Sequence, residues 1–253
     1  MQVVGYDTGV GDDEREPALL LGDDGEMRRE SLTAGTELAY SLGERHCAGV
    51  LTEDGHDPCE NPTAPYCPDH TSTWACARCT GDCSKPLPSC DEEHAVYLAA
   101  FAPDVFKVGV TRSWRLDTRL REQGADRAAH LRTVADGRIA RQIEADIARD
   151  IVDRVRVPTT VAGLHRAVDA GAWDALLSEY EDIETYAFDY GLDLREAPVA
   201  ETLATGTVRG LQGRVLVLDH AGSTYAVDLR DLVGHDLTAE RTDRHLQSSL
   251  GAF

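Results

Sequence analysis

A chain of 253 residues is long enough for one large core or two modest ones, and its formal net charge of -20 describes an extremely acidic surface. The cations are almost all arginine, with lysine only at Lys85 and Lys107, a pattern suited to a cell holding molar salt, where screening weakens repulsion between carboxylates. No run approaches the roughly 18 apolar residues that mark a membrane span, and the first residues lack the basic and apolar regions of a signal peptide. These features lead us to expect a halophilic, cytoplasmic protein in a reducing compartment that disfavours disulfides.

Residues 1–46 read as β-rich, with apolar runs at Val3-Val4 and Ala18-Leu19-Leu20-Leu21 broken by turns at Gly11-Asp12 and Gly22-Asp23-Asp24-Gly25. Residues 47–92 carry all seven cysteines together with Pro58, Pro62, Pro65, Pro68, Pro86 and Pro88, and neither a helical nor a strand period survives there. A metal is then expected to replace the missing core. The run Cys76-x2-Cys79-x3-Cys83-x6-Cys90 follows Cys47, Cys59 and Cys67, with His46, His56 and His70 nearby. A two-residue gap between thiolates supplies half of a tetrahedral zinc site. Cys47 and Cys67 are the candidates to complete a site with Cys76 and Cys79, and Cys59, Cys83 and Cys90, with a histidine, would form a second. Redox chemistry at Cys76 and Cys79, or inert core thiols, are the alternatives. A catalytic zinc would need an open coordination position and a base beside it, a part for which nothing singles out His70.

Residues 93–155 regain order. Ala95-Val96-Tyr97-Leu98 and Val105-Phe106-Lys107-Val108-Gly109-Val110 read as strands joined at Pro103-Asp104. A helix is predicted over 114–123 with Leu116 and Leu120 on one face, and another over 137–150 with Ile139, Ile143 and Ile147 at i,i+4 spacing. Residues 156–197 read as a helical extension with pieces at 161–168 and 172–180, followed by a loop. In 198–253, strands are predicted at Thr207-Val208-Arg209, Arg214-Val215-Leu216-Val217-Leu218 and Thr224-Tyr225-Ala226-Val227. Three such strands expose too many edges alone. They are expected to pair with the N-terminal strands in one small barrel. The fold class is therefore α+β, a split β domain enclosing the cysteine region and an α/β module.

The stretch 105–145 reverses the charge of the chain. Lys107, Arg112, Arg115, Arg119, Arg121, Arg127, Arg132, Arg138 and Arg141 outnumber Asp117, Glu122, Asp126, Asp136 and Glu144, giving +4. Such an island either pairs with the protein's own carboxylates or meets phosphate, and a nucleic acid, DNA or RNA, is the partner it favours. Lys107, Arg112, Arg115 and Arg119 are the candidate contacts, and an acidic protein partner is the alternative. Tyr97, Phe106 and Trp114 are able to stack on bases or to fill the core. Lys107 stands out as a retained lysine beside a glycine, and Gly109 is expected to serve a close backbone approach.

At these residues the chain resembles the GIY-YIG nuclease domain, through Val96-Tyr97, Lys107-Val108-Gly109, Thr111, Arg119 and Glu144. Over almost its whole length it is also similar to the uncharacterised family DUF2797, through its cysteines, Lys107-Val108-Gly109-Val110-Thr111-Arg112, Gln123-Gly124-Ala125 and a glycine-rich β tail at Gly206, Gly210 and Gly213. The nuclease resemblance implies a catalytic set of Tyr97 to orient water, Arg119 to steady charge on phosphate and Glu144 to hold Mg²⁺ or Mn²⁺. It departs at Lys107, where the nucleases place a tyrosine, and at Gln123, which cannot shuttle a proton. The expected function is a zinc-stabilised nucleic-acid-binding protein. The alternatives are a Mg/Mn-dependent phosphodiesterase and a non-catalytic protein-interaction module.

Overall fold

The computed structural model describes residues 1–11, 15–52, 55–71, 79–83 and 88–239. In chain order the elements are β1 (Gln2–Asp7), β2 (Ala18–Asp23), β3 (Glu26–Ser31), β4 (Glu37–Arg45), β5 (Val50–Thr52), β6 (Gly55–Asp57), β7 (His94–Phe101), β8 (Val105–Arg112), α1 (Leu116–Gln123), β9 (Arg127–Val134), α2 (Gly137–Ile147), α3 (Val157–Gly163), α4 (Ala170–Leu177), β10 (Glu184–Ala187), β11 (Val199–Ala200), β12 (Ala204–Gln212), β13 (Val215–His220), β14 (Ser223–Asp228), α5 (Leu229–Leu232) and β15 (His235–Thr238). They form a mixed α+β fold in two compact units, one of residues 1–72 and 197–253, the other of residues 73–196. No helix among the described residues is long and apolar enough to cross a membrane.

The first unit is built on a sheet in the order β11-β14-β13-β12-β4-β15-β1-β2-β3. Strands from the two ends of the chain meet in it, β12 running antiparallel to β4 and β15 lying between β4 and β1. This pairing removes edges that the C-terminal strands would otherwise expose. Its core gathers Val3, Leu19, Leu21, Leu32 and Leu38 with Leu216, Leu218, Val227, Leu229 and Leu232.

The second unit is a four-stranded antiparallel sheet in the order β10-β9-β7-β8. Because strand side chains alternate between faces, β7 serves two cores at once. Ala95, Tyr97, Ala99 and Phe101 pack with Leu116 and Leu120 of α1. Val96, Leu98 and Ala100 pack with Ala140 of α2 and Trp173 of α4. The apolar stripes read from sequence in both helices therefore face the sheet, although Ile139 itself is exposed.

Four expectations need correction. The cysteine region contains the short hairpin β5–β6, whose three-residue strands are too brief to leave a period in the sequence. Strand β9 was not anticipated, because Ala128 and Ala129 favour helices in isolation; in a strand covered on both faces, small side chains fit. The helical extension also carries the edge strand β10. Helix α3 starts at Val157, four residues earlier than expected, with Pro158 in its first turn, where a missing N–H costs nothing.

Candidate functional site

The first site lies in the cysteine-rich part of the first unit. Cys47 follows β4, Cys59 follows β6, and Cys67 and His70 share one turn closed by the bond from His70 N–H to the Cys67 carbonyl, 3.0 Å. Hairpin pairing of Val50 with Asp57 returns the chain on itself, so Cys47 and Cys59 flank its open end. Further bonds draw in the third segment: Cys47 N–H donates to the Asn61 carbonyl at 2.8 Å, and Ala48 N–H to the Pro65 carbonyl at 2.9 Å. Gly49 has φ +65°, and a Cβ there would stand 2.0 Å from the Asp57 carbonyl oxygen, so only glycine permits this turn.

The Sγ atoms of Cys47, Cys59 and Cys67 and a ring nitrogen of His70 all lie within 4.8 Å of one another. His70 Nδ1 is 3.3 Å from Cys47 Sγ and 3.5 Å from Cys67 Sγ. Zinc–sulfur bonds of about 2.3 Å in a tetrahedron imply ligand atoms about 3.8 Å apart, so the donor set and its spacing fit zinc. The thiolate form is prepared by the backbone. Burial pushes the Cys47 thiol up, but the N–H groups of Cys67 (3.2 Å) and Gly49 (3.4 Å), His70 and the Cys67 thiol outweigh it and bring it down to about 6. At Cys59 the Asn61 N–H pulls down, while burial and the neighbouring Cys47 and Cys67 sulfurs push up and prevail. Sulfurs that resist joint ionisation are what a cation at their centre would reconcile.

The ligand grouping read from sequence is thus revised. Cys47 and Cys67 are together, but their companions are Cys59 and His70. Cys76 lies outside the described residues. Cys79, Cys83 and Cys90 belong to the second unit as free thiols, Cys79 Sγ accepting from Gly81 N–H at 3.3 Å. His46 contacts the Cys59 carbonyl and the Asp236 carboxylate, and buried His56 contacts the Ala48 carbonyl. The missed ligand carried a signal after all: Cys67-x2-His70 has the spacing of a zinc half-site.

The second site lies in the second unit, on the α1 face of its sheet. Cross-strand register places Gly109 opposite Tyr97 and Lys107 opposite Ala99. Tyr97 is only 1% exposed, and its ring lies over Gly109, where a Cβ would meet the phenol at 2.5 Å. Gln123, one helical turn beyond Arg119, ties the group together. Its Nε2 donates to Tyr97 Oη at 2.7 Å and to the Arg119 carbonyl at 2.9 Å, while its Oε1 accepts from Lys107 Nζ at 2.6 Å.

Burial, and then the charge of Arg119, lower Lys107 to about 8, against the pull of Glu144 and Asp153. Burial also raises the Tyr97 hydroxyl, with Arg119 and Gln123 opposing it. Tyr97, Lys107, Arg119 and Glu144 therefore share one electrostatic neighbourhood. Glu144 is held by Arg141 at 2.6 Å. Five further arginines of the basic island are paired as well: Arg112 with Glu92, Arg115 and Arg119 with Glu122, Arg121 with Asp117 and Arg138 with Asp136. Half-exposed pairs of this kind are weak and screened by water and salt, so they leave the cations free to exchange partners.

Fold and first site together define a mixed α+β protein with a Cys3His cluster able to hold a metal ion, zinc by its donor set. Residues 38–237, more than three quarters of the chain, match the family described as "Protein of unknown function (DUF2797)", and the chain belongs to that family. No curated protein and no solved structure matches it.

Proposed function

We propose that the protein is a nucleic-acid-binding protein stabilised by structural zinc on Cys47, Cys59, Cys67 and His70, with Lys107, Arg112, Arg115 and Arg119 meeting phosphate. The observation that carries the reading is the Lys107–Gln123–Tyr97 network. It spends a half-buried hydrogen-bond chain on holding one of two lysines of the sequence beside Arg119. A lysine whose proton is loosened by burial and a neighbouring arginine gains from an arriving phosphate, which restores the missing countercharge. Arg115 and Arg119 already share the Glu122 carboxylate, an arrangement that a phosphate oxygen can enter in its place.

A metal-dependent phosphodiesterase is the second reading, favoured by the fields of Arg119 and Glu144 at Tyr97, the three residues that the GIY-YIG resemblance would make catalytic. Mg²⁺ or Mn²⁺ would then sit at Glu144, with water and phosphate oxygens completing its shell. Near-complete burial of Tyr97 and the Arg141–Glu144 pair weigh against it.

The test incubates zinc-loaded protein in high KCl with labelled single- and double-stranded DNA and RNA, with Mg²⁺ or Mn²⁺, beside Glu144→Gln and Arg119→Ala. Retained complexes without scission, weakened by Arg119→Ala, support binding. Scission abolished by Glu144→Gln supports the nuclease. Neither binding nor scission, with capture by an acidic protein, replaces both.

A further inference from the structure

Of the three aromatic residues that sequence offered as base-stacking candidates, two are committed elsewhere. Tyr97 is 1% exposed, and Phe106 packs against Trp173 with ring centroids 5.7 Å apart. Trp114 is 65% exposed, in the short 3-10 turn Ser113–Arg115 that joins β8 to α1. A tryptophan exposed to this degree leaves most of its apolar face open to a partner able to cover it.

Its setting is specific. The indole Nε1–H points to Glu92 Oε2 at 3.5 Å, the same carboxylate oxygen that Arg112 Nε approaches at 3.4 Å. The guanidinium carbons of Arg112 and Arg115 each lie 5.9 Å from the ring centroid, within cation–π range. From Arg115 the contacts run without a break to the lysine: Arg115 to Glu122 at 2.7 Å, Glu122 to Arg119 at 3.1 Å, and Gln123 bridging the Arg119 carbonyl to Lys107 at 2.9 and 2.6 Å. A largely exposed indole, flanked by two guanidiniums, thus stands at one end of a file of cations.

We infer that Trp114 is a stacking platform for an unpaired nucleobase, so that the strand this surface takes is single-stranded or carries unstacked bases. The inference rests on the nucleic-acid reading above. An aromatic face beside a track of cations is the arrangement that holds single strands, one face on the base and the charges on its phosphates. A continuous duplex keeps its base faces inside the stack and offers the indole nothing but backbone. Stacking also survives salt that screens charge, so it would hold a strand where the net charge of -20 repels it.

The experiment measures fluorescence anisotropy of labelled oligo(dT), oligo(rU), an abasic strand of equal length and a continuous duplex, against zinc-loaded wild type, Trp114→Ala, Trp114→Phe and Arg119→Ala. Trp114→Ala is expected to weaken oligo(dT) or oligo(rU) about tenfold or more, with Trp114→Phe retaining most of the affinity. Abasic strand is expected to distinguish Trp114→Ala from wild type by less than about twofold, since it has no face to stack. Equal binding of oligo(dT) and oligo(rU) by wild type and Trp114→Ala, while Arg119→Ala still weakens them, overturns the inference and leaves the nucleic-acid reading standing. An equal loss on the duplex and the single strands overturns it too. Wild-type protein that binds none of the four overturns both.

Discussion

Gly109→Ala should damage the second unit out of proportion to one methyl group. Gly109 does not need a left-handed backbone; its constraint is contact alone. An added Cβ would lie 2.5 Å from both Cζ and Oη of Tyr97 and 2.9 Å from Cε2. The phenol has no room to retreat, being fully packed between Gly109 and the α1 face and hydrogen-bonded to Gln123 at 2.7 Å. Relief requires shifting the ring, which strains the packing by about 1–3 kcal/mol and breaks the half-buried bond to Gln123, stranding the buried Tyr97 hydroxyl at a further cost of about 1–3 kcal/mol. The expected loss is therefore about 2–6 kcal/mol, read from urea denaturation followed by circular dichroism. Gly171→Ala in α4 is the internal control. Its Cβ meets only Asp169 Oδ1 at 3.4 Å, so it should be neutral or stabilising by about 0.5 kcal/mol. Tyr97→Phe should partly rescue Gly109→Ala by removing one of the clashing atoms, making the double mutant less costly than the sum of the two. A Gly109→Ala protein as stable as wild type would refute the close approach and the network built on it.

Other outcomes follow from the same geometry. Cys59→Ser should lower zinc affinity beyond the roughly 10–100-fold that changes to the groups hydrogen-bonded to metal ligands cost, measured by competition with a chromogenic chelator, whereas a distant ligand set would leave it unchanged. Gln123→Ala strands the Tyr97 hydroxyl and the Lys107 ammonium together and should cost about 1–3 kcal/mol in denaturation, with Gln123→Glu less harmful because it restores a partner for lysine. Lys107 has a folded-state value near 8, below its ordinary 10.5, so the folded state holds fewer protons between them; its contribution should make stability rise across that window as pH climbs. Phosphate binding should move the opposite way, weakening as Lys107 loses its proton above about 8, and Lys107→Gln should flatten both profiles.

How much of this was legible in the sequence depended on whether a pattern was local. Strands β7 and β8 and helices α1 and α2 carry their own periodicity, and their apolar faces are where the spacing puts them. Strand β9 was hidden because its alanines fit only next to β7, a neighbour some thirty residues earlier in the chain. The sharp ends also escaped. Helix α2 stops at Ile147 rather than 150, and α3 ends at Gly163, where a Cβ would strike the Ala102 carbonyl at 1.8 Å. At the metal cluster the cysteines announced a metal, but grouping was set by the β5–β6 hairpin, which returns Cys59 to Cys47. The nearest-neighbour logic that tied Cys47 and Cys67 to Cys76 and Cys79 has no access to such a return. Conversely, Gly109 was readable as a close approach, and the structure supplies its partner, Tyr97.

The most direct measurement of the central claim is the slope of log affinity against log salt concentration for a single-stranded oligonucleotide, wild type beside Arg115→Ala, Arg119→Ala and Lys107→Gln. If these cations meet phosphate, each substitution should weaken binding and reduce the slope by about one. Parallel lines, with affinities unchanged by all three substitutions, would contradict the account and remove the nucleic acid from this surface.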